Sequence, residues 1–363
     1  MTLFRPDDLC VATARYEAET DSAVLERVRD VSASAFGRPA IVVDRLVHAH
    51  PEAVLHRVGT AGGVHVLKSV RGEAGRRRLE REAAVALLLH RGDAPTPRPI
   101  GARSGDVARR DDWTFAAFEY VDGPHYTGSN RGLLRIATAY ARLSAAAGPP
   151  DTWPWKNAST TSTGPANLVS LWSRVEAQDG TPAGAVARRH APRIVEATRR
   201  AAESAERVAA YPTVVHVDGH PLNVVLGPDE RPTLLDFEDV LPAPVALGAG
   251  FTFFKLARRL VVARGSLPTP EERRSLTECW LANVREAAAG THAAAAFTSL
   301  DAGSLAEGAR ARILALLELV LRTSLDDGDD RYMRDFEKHT LALAELDAWF
   351  GSIGPAPSPT RQD

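Results

Sequence analysis

Four residues of one stretch, His216, Asp218, Asn223 and Asp236, have the types and the spacing to do chemistry. They belong to VVHVDGHPLNVVLGPDERPTLLDFEDV, residues 214–240, and stand between short apolar runs. A carboxylate on a tight loop can orient a hydroxyl group and take its proton. A carboxamide oxygen and a second carboxylate make an oxygen donor pair suited to Mg²⁺, which can be held against phosphates. Together these are the parts of a phosphoryl-transfer site. His216-x-Asp218-x-His220 also leaves open a fragment of a hydrolase metal site, but zinc sites take three or more ligands and no second His cluster occurs in the chain. We read His216 as structural, bonded to backbone near Asp236, and His220 as a local loop stabiliser.

Asp218 and Asn223 are five positions apart, the spacing of the kinase loop H-R-D-x-x-x-x-N, and Asp236-Phe237-Glu238 stands where a kinase has Asp-Phe-Gly. The stretch resembles the aminoglycoside phosphotransferase family of kinase-like enzymes. That family's loop reads His-Gly-Asp-x-His-x-x-Asn, followed by Asp-Phe-Glu or a near variant; Val217 here replaces the Gly. The resemblance implies transfer of the γ-phosphate of ATP or GTP to a hydroxyl of a small molecule. Asp218 would be base or orienting group, and Asn223 and Asp236 would be Mg²⁺ ligands. The leading acceptor is an antibiotic of aminoglycoside, nucleoside or peptide type, modified for resistance or self-protection. A metabolic kinase acting on an amino alcohol, amino acid or sugar is the main rival, and a nucleotide-binding pseudokinase acting through protein contacts is the second. The segment after Asp236 lacks Ala-Pro-Glu and is too compact for a long activation loop, which argues against a protein kinase.

The elements that must position these groups can be read from periodicity. Val214-Val215 and 224–226 form buried strands on either side of the loop, and 227–230 is a turn leading to 233–235. Such a hairpin brings Asp236 back beside Asn223. Upstream, 22–36 is a helix with Ser22 as N-cap and Gly37 as its end, followed by β-like runs at 40–43, 53–58 and 64–70. Lys68 lies on the third run, in Val-Leu-Lys, where a kinase-like fold holds the α- and β-phosphates; alone it could be an exposed strand lysine. Residues 76–90 form an amphipathic helix whose Glu82 or Glu80 would pair with Lys68 or be an ordinary solvated charge, and the resemblance favours Glu82, which directly precedes Ala83-Ala84-Val85 as in the Glu-Ala-rich helices of that family. The strand 113–121 ends in Asp122-Gly123-Pro124 and is either the interlobe hinge or an ordinary buried strand. As a hinge it would offer backbone groups of Glu119 and Val121 to the adenine edge. The stretch 47–52 contains no Gly, so no phosphate-covering loop residue is assigned.

Beyond Gly123 the chain is mostly helical, at 133–147, 166–178, 183–210 (interrupted by Pro192), through 251–256, and at 271–289, 304–323 and 330–350. Residues 151–164, with Trp153 and Trp155, are either a structured loop near the acceptor or a flexible connection. Asp326, Asp327, Asp329 and Asp330 are either a solvated turn with Asp330 as N-cap or a draw for a cationic acceptor. The tail after Gly351 is expected to fray.

Composition narrows the classes. Lys+Arg number 44 against 46 Asp+Glu, with no basic block interleaved with aromatics, so no nucleic-acid partner is expected. Two distant cysteines, Cys10 and Cys279, support neither a disulfide framework nor a zinc cluster. No run of about eighteen apolar residues and no signal-like N-terminus occur, so we expect a cytoplasmic protein with no membrane partner, a monomer or weak dimer. The matched features run in order from about residue 54 to about residue 260. They predict an α+β, two-lobed protein-kinase-like fold: an N-lobe at 1–121 with an antiparallel sheet plus helix and a hinge at about 118–123, and a helical C-lobe at 122–363 carrying the loop 214–240.

Overall fold

The computed structural model describes residues 15–47, 53–154, 165–177, 182–327 and 333–351. Alternating apolar residues build the first part. β1 (Tyr16–Ala18), β2 (Ala40–Leu46), β3 (Ala53–Thr60), β4 (Gly63–Arg71), β5 (Pro99–Ile100), β6 (Ala108–Arg110) and β7 (Trp113–Glu119) form one antiparallel sheet. Its order is β1-β2-β3-β4-β7-β5, with β6 also on β7. The two faces of the sheet follow the period of two. Val58, Leu67, Phe115 and Ala117 pack with Val28 and Val31 of α1 (Ser22–Ser34), whereas Ala53, Val70, Ala116 and Phe118 join the larger core with Leu79 of α2 (Gly72–Arg91). Lys68 lies opposite Leu55 of β3 and Ala116 of β7, and so on the α2 side.

The rest is helical apart from two short ribbons: α3 (Asn130–Ala146), α4 (Pro165–Glu176), α5 (Pro182–Ala209), α6 (Val245–Arg264), α7 (Pro270–Ala288), α8 (Ala294–Thr298), α9 (Ala302–Asp327) and α10 (Met333–Phe350). α3 packs on α7 and α6 on α9, around fully buried Tyr140, Phe253, Trp280 and Trp349. Each such ring withdraws enough apolar surface to contribute about 1.5–3 kcal/mol. None of the described helices is long and apolar enough to cross a membrane.

Two details differ from expectation. Asp21, not Ser22, caps α1, its carboxylate accepting from the backbone N–H of Ala23 and Val24; an ionised oxygen is the better acceptor at a helix N-terminus. Pro192 does not interrupt its helix, because α5 runs through it. The glycine-free stretch 48–52, the insertion from Trp155 to 164, the side chains of the acidic run 326–330, and the tail from 352 lie outside the described residues.

Candidate active site

Two ribbons hold the loop that carries Asp218. β8 (Pro212–His216) pairs antiparallel with β11 (Val240–Pro244), placing His216 opposite Val240, and the Val217 N–H donates to the Asp239 carbonyl at 3.0 Å. β9 (Val224–Leu226) pairs with β10 (Pro232–Leu234) around the turn at 227–230, and the Leu235 N–H donates to the Asn223 carbonyl at 2.9 Å. The hairpin therefore returns Asp236 to the side of Asn223. His216 spans the gap between the ribbons. Its Nδ1 accepts from the Asp218 N–H at 3.3 Å, which leaves Nε2 to donate to the Leu235 carbonyl at 2.9 Å.

Asp218 is held through its backbone. Its carbonyl accepts from the His220 N–H at 2.9 Å and from Asn223 Nδ2 at 3.0 Å. His220 accepts from the Leu222 N–H through Nδ1 and stands 3.5 Å from the Asp218 carboxylate through Nε2. Burial lowers the His220 pKa, so a neutral ring faces that carboxylate. Gly219 is required by space: a Cβ there would lie 2.9 Å from Thr252 Cγ2 and 3.0 Å from Thr252 Cβ. Val217, where the resembled pattern has Gly, is 1% exposed in the main core.

Lys68 ties the sheet to this loop. Its Nζ lies 2.8 Å from Glu82 Oε2 and 2.9 Å from Asp236 Oδ1. Glu80 instead pairs with Arg76 and Arg109, on the outer side of α2. Asp236 sits at φ 62°, ψ 77°, a left-handed conformation that costs a non-glycine residue about 1 kcal/mol or more and is characteristic of functional turns. A third acid follows: carboxylate oxygens of Glu82, Asp236 and Glu238 lie within 4.8 Å of one another. Two cations of α2 hold Glu238, Arg78 through its carboxylate at 3.3 Å and Arg81 through its backbone carbonyl.

The electrostatics of the cluster follow from burial and charge. Burial pushes the Glu82 carboxyl up to about 7 in spite of Lys68, with Asp236 and Glu238 adding to the rise. Burial works against the Lys68 ammonium, but Glu82 and Asp236 outweigh it and hold its pKa above the ordinary value. Burial also works against ionised Asp236, and here the pull of Lys68 wins, leaving its carboxyl below the usual range. Glu238 is raised, by burial first and then by Asp236. Three carboxylates around one ammonium form a site that further positive charge would stabilise.

That donor set fits a hard divalent cation. Asp236 offers carboxylate oxygen, and Asn223, whose Nδ2 is committed to the Asp218 carbonyl, offers its carboxamide oxygen. At the end of β7, the Glu119 N–H donates to the Arg98 carbonyl at 2.9 Å and the Tyr120 N–H to the Val64 carbonyl at 3.3 Å, with Val121 just beyond the strand. The structure thus gathers Lys68, Glu82 and Asp236 into one ion-pair cluster and Asp218 and Asn223 into one loop, while Glu119 and Val121 stand apart at the strand end. Sequence reasoning missed Glu238, Arg78 and Arg81. Their only signal was the third position of Asp-Phe-Glu and a run of arginines on α2.

Residues 52–258 match the family model of the phosphotransferase enzyme family, a span that includes Lys68, Glu82, the segment 118–123 and the whole loop 214–240. Among the curated proteins no sequence matches the chain. Several solved structures share the fold. A spectinomycin phosphotransferase in complex with ADP and spectinomycin superposes with a TM-score of 0.65 at 11% identity, over 89% of this chain and 98% of that one. An ethanolamine kinase from Plasmodium vivax gives 0.55 at 12% identity, over 92% and 91% of the two chains. A choline kinase from Streptococcus pneumoniae gives 0.54 at 13% identity, over 89% and 99%. With more than half of its length matched by the family model, and its sheet-plus-helices architecture shared with kinase-like enzymes, the chain belongs to the phosphotransferase enzyme family.

Proposed function

We propose that this protein moves the γ-phosphate of ATP or GTP to a hydroxyl of a small molecule. The observation that carries the reading is the Lys68 ammonium between Glu82 and Asp236, 2.8 and 2.9 Å away, next to the hairpin that returns Asp236 to the Asn223–Asp218 loop. In this reading residues 1–121 bind the nucleotide. The carbonyl of Glu119 and the N–H of Val121 meet the base edge, since the Glu119 N–H is already bonded. Lys68 holds phosphate oxygens and Glu82 holds Lys68. Residues 122–363 supply the loop and the acceptor site. Asn223 and Asp236 hold Mg²⁺, which when bound neutralises phosphate charge. Asp218 orients the acceptor hydroxyl and accepts its proton as the oxygen attacks. The transition state is loose, so positioning and charge neutralisation supply most of the rate.

For the acceptor, an antibiotic of aminoglycoside, nucleoside or peptide type is the leading reading, supported by likeness to a structure that holds spectinomycin. An amino-alcohol kinase is the second, supported by the ethanolamine and choline kinases of the same fold. The test is Mg²⁺-dependent consumption of ATP and of GTP across a panel of antibiotics, amino alcohols, amino acids and sugars. Turnover with one acceptor class names the substrate. Tight nucleotide binding with no turnover on any acceptor would replace the enzyme by a pseudokinase.

A further inference from the structure

Arg312 stands far from every motif and outside the matched residues 52–258, yet it reaches the loop that carries Asp218. Its Nε donates to the Val217 carbonyl at 3.0 Å, and its Nη2 lies 3.5 Å from Asp239 Oδ2. The guanidinium also rests over the ring of buried Phe251, 5.9 Å from its centroid. Only 11% of the Arg312 side chain is exposed.

The carbonyl it holds is significant. Val217 C=O and Asp218 N–H belong to one planar peptide unit, and that N–H is bonded to His216 Nδ1. The plane before Asp218 is therefore fixed at both ends. The plane after it is fixed by the bonds that His220 and Asn223 make to the Asp218 carbonyl. With both planes held, the Cα–Cβ direction of Asp218 is set and only its side-chain torsions remain free. Tyr140 of α3 makes a parallel contact one residue earlier, its hydroxyl donating to the His216 carbonyl at 3.0 Å.

Helix packing explains how a residue so distant in sequence arrives there. A Cβ on Gly250 would stand 2.9 Å from the Ala309 nitrogen, and one on Gly308 2.9 Å from the Leu247 nitrogen, so α6 and α9 cross with their backbones in contact. Arg312 lies four residues after Gly308, on the same face of α9. The close crossing directs that face at the loop.

We infer that Arg312 is a positioning residue for phosphoryl transfer, a strut from α9 that fixes the peptide plane before Asp218 and hence the direction from which its carboxylate meets the acceptor hydroxyl. The inference rests on the role proposed above for Asp218. Arg312 touches no reacting atom, and its fork serves Val217 and Asp239 at once, which a lysine cannot do in the same geometry.

The test compares the full-length wild type with Arg312→Met, Arg312→Lys and Arg310→Gln. Arg310 is two residues away on α9 and pairs with Glu307 and Asp347 without touching the loop, so its variant reports general damage to the helix. Two readouts are taken: ADP formation from Mg²⁺·ATP with water as acceptor, and amide hydrogen exchange of the peptides covering 214–223 and 63–71. Arg312→Met should lower kcat about 10- to 100-fold while the KM for Mg²⁺·ATP stays within about twofold. Exchange in 214–223 should rise about tenfold with 63–71 unchanged. Arg312→Lys should recover part of both effects, and Arg310→Gln should reproduce neither. Unchanged exchange in 214–223 for Arg312→Met, or an equal rise for Arg310→Gln, would overturn the inference. The proposed function is judged separately, by turnover on the acceptor panel, and where the wild type forms no ADP with water the exchange comparison alone decides whether Arg312 holds the loop.

Discussion

Replacing Lys68 with Met strands a buried carboxylate. Glu82 is 3% exposed, Lys68 is the cation against it, and the other charges beside it, Asp236 and Glu238, are negative. Its carboxyl already stands at about 7 against an ordinary 4.5. A carboxyl raised on folding favours the folded state when protonated, so its contribution is complete below the unfolded value and is lost as pH climbs through the folded one. For Glu82 that loss is about 3 kcal/mol in the wild type. Without Lys68 the carboxyl moves higher still. In the wild type Asp236 adds no slope in this window, because Lys68 holds its carboxyl below its usual range; without Lys68 its side chain, 36% exposed, is left to the solvent. Removing one partner of a buried ion pair costs about 3–5 kcal/mol, which is the expected loss for Lys68→Met near pH 8. Near pH 5 Glu82 carries a proton and the loss should shrink to about 1–2 kcal/mol. Urea unfolding at both pH values in EDTA measures this. In a Glu82→Gln background Lys68→Met should cost about 1–2 kcal/mol at either pH. A cost that does not change with pH, or that persists in the Glu82→Gln background, would refute the reasoning and assign the charge balance of Lys68 to Asp236.

Three further outcomes are expected. Asp218→Asn should lower kcat by about 10²- to 10⁴-fold with Mg²⁺·ATP affinity within about threefold by calorimetry. Asp236→Asn should weaken Mg²⁺·ATP binding about tenfold or more and raise the Mg²⁺ needed for half-maximal turnover, since it removes a cation ligand together with a partner of Lys68. Gly219→Ala should cost about 1–3 kcal/mol of stability and lower kcat by displacing the loop from Thr252, and Thr252→Ala introduced beside it should recover most of both.

What could be read from the sequence was whatever is local. The loop 214–240 carries its chemistry within a few residues, and its hairpin is announced by Gly227-Pro228 between apolar runs, so the return of Asp236 to Asn223 was visible in advance. Lys68 and Glu82 were legible because periodicity put a lysine-bearing strand next to a glutamate-bearing helix and the resemblance to kinase-like enzymes implied their pairing. The pairing of β8 with β11 was hidden, because Pro242 and Pro244 lack a backbone donor and read as breakers; a two-stranded ribbon with open edges tolerates them. Arg78, Arg81 and Arg312 were hidden for another reason. Each looks like an ordinary helical charge, and its partner lies on an element distant in sequence, joined only by tertiary packing. The Asp21 cap was missed by one residue, a distance over which serine and aspartate compete equally on propensity.

The central claim, that the Asp218 loop transfers phosphate to a hydroxyl, is tested most directly by mass spectrometry of a hydroxyl-bearing acceptor panel incubated with Mg²⁺ and ATP or GTP. The account predicts an acceptor gaining one phosphoryl group with the wild type, and none above background with Asp218→Asn. The same phosphorylated product formed equally well by Asp218→Asn, or no phosphorylated acceptor from a wild type that binds Mg²⁺·nucleotide tightly, would contradict it.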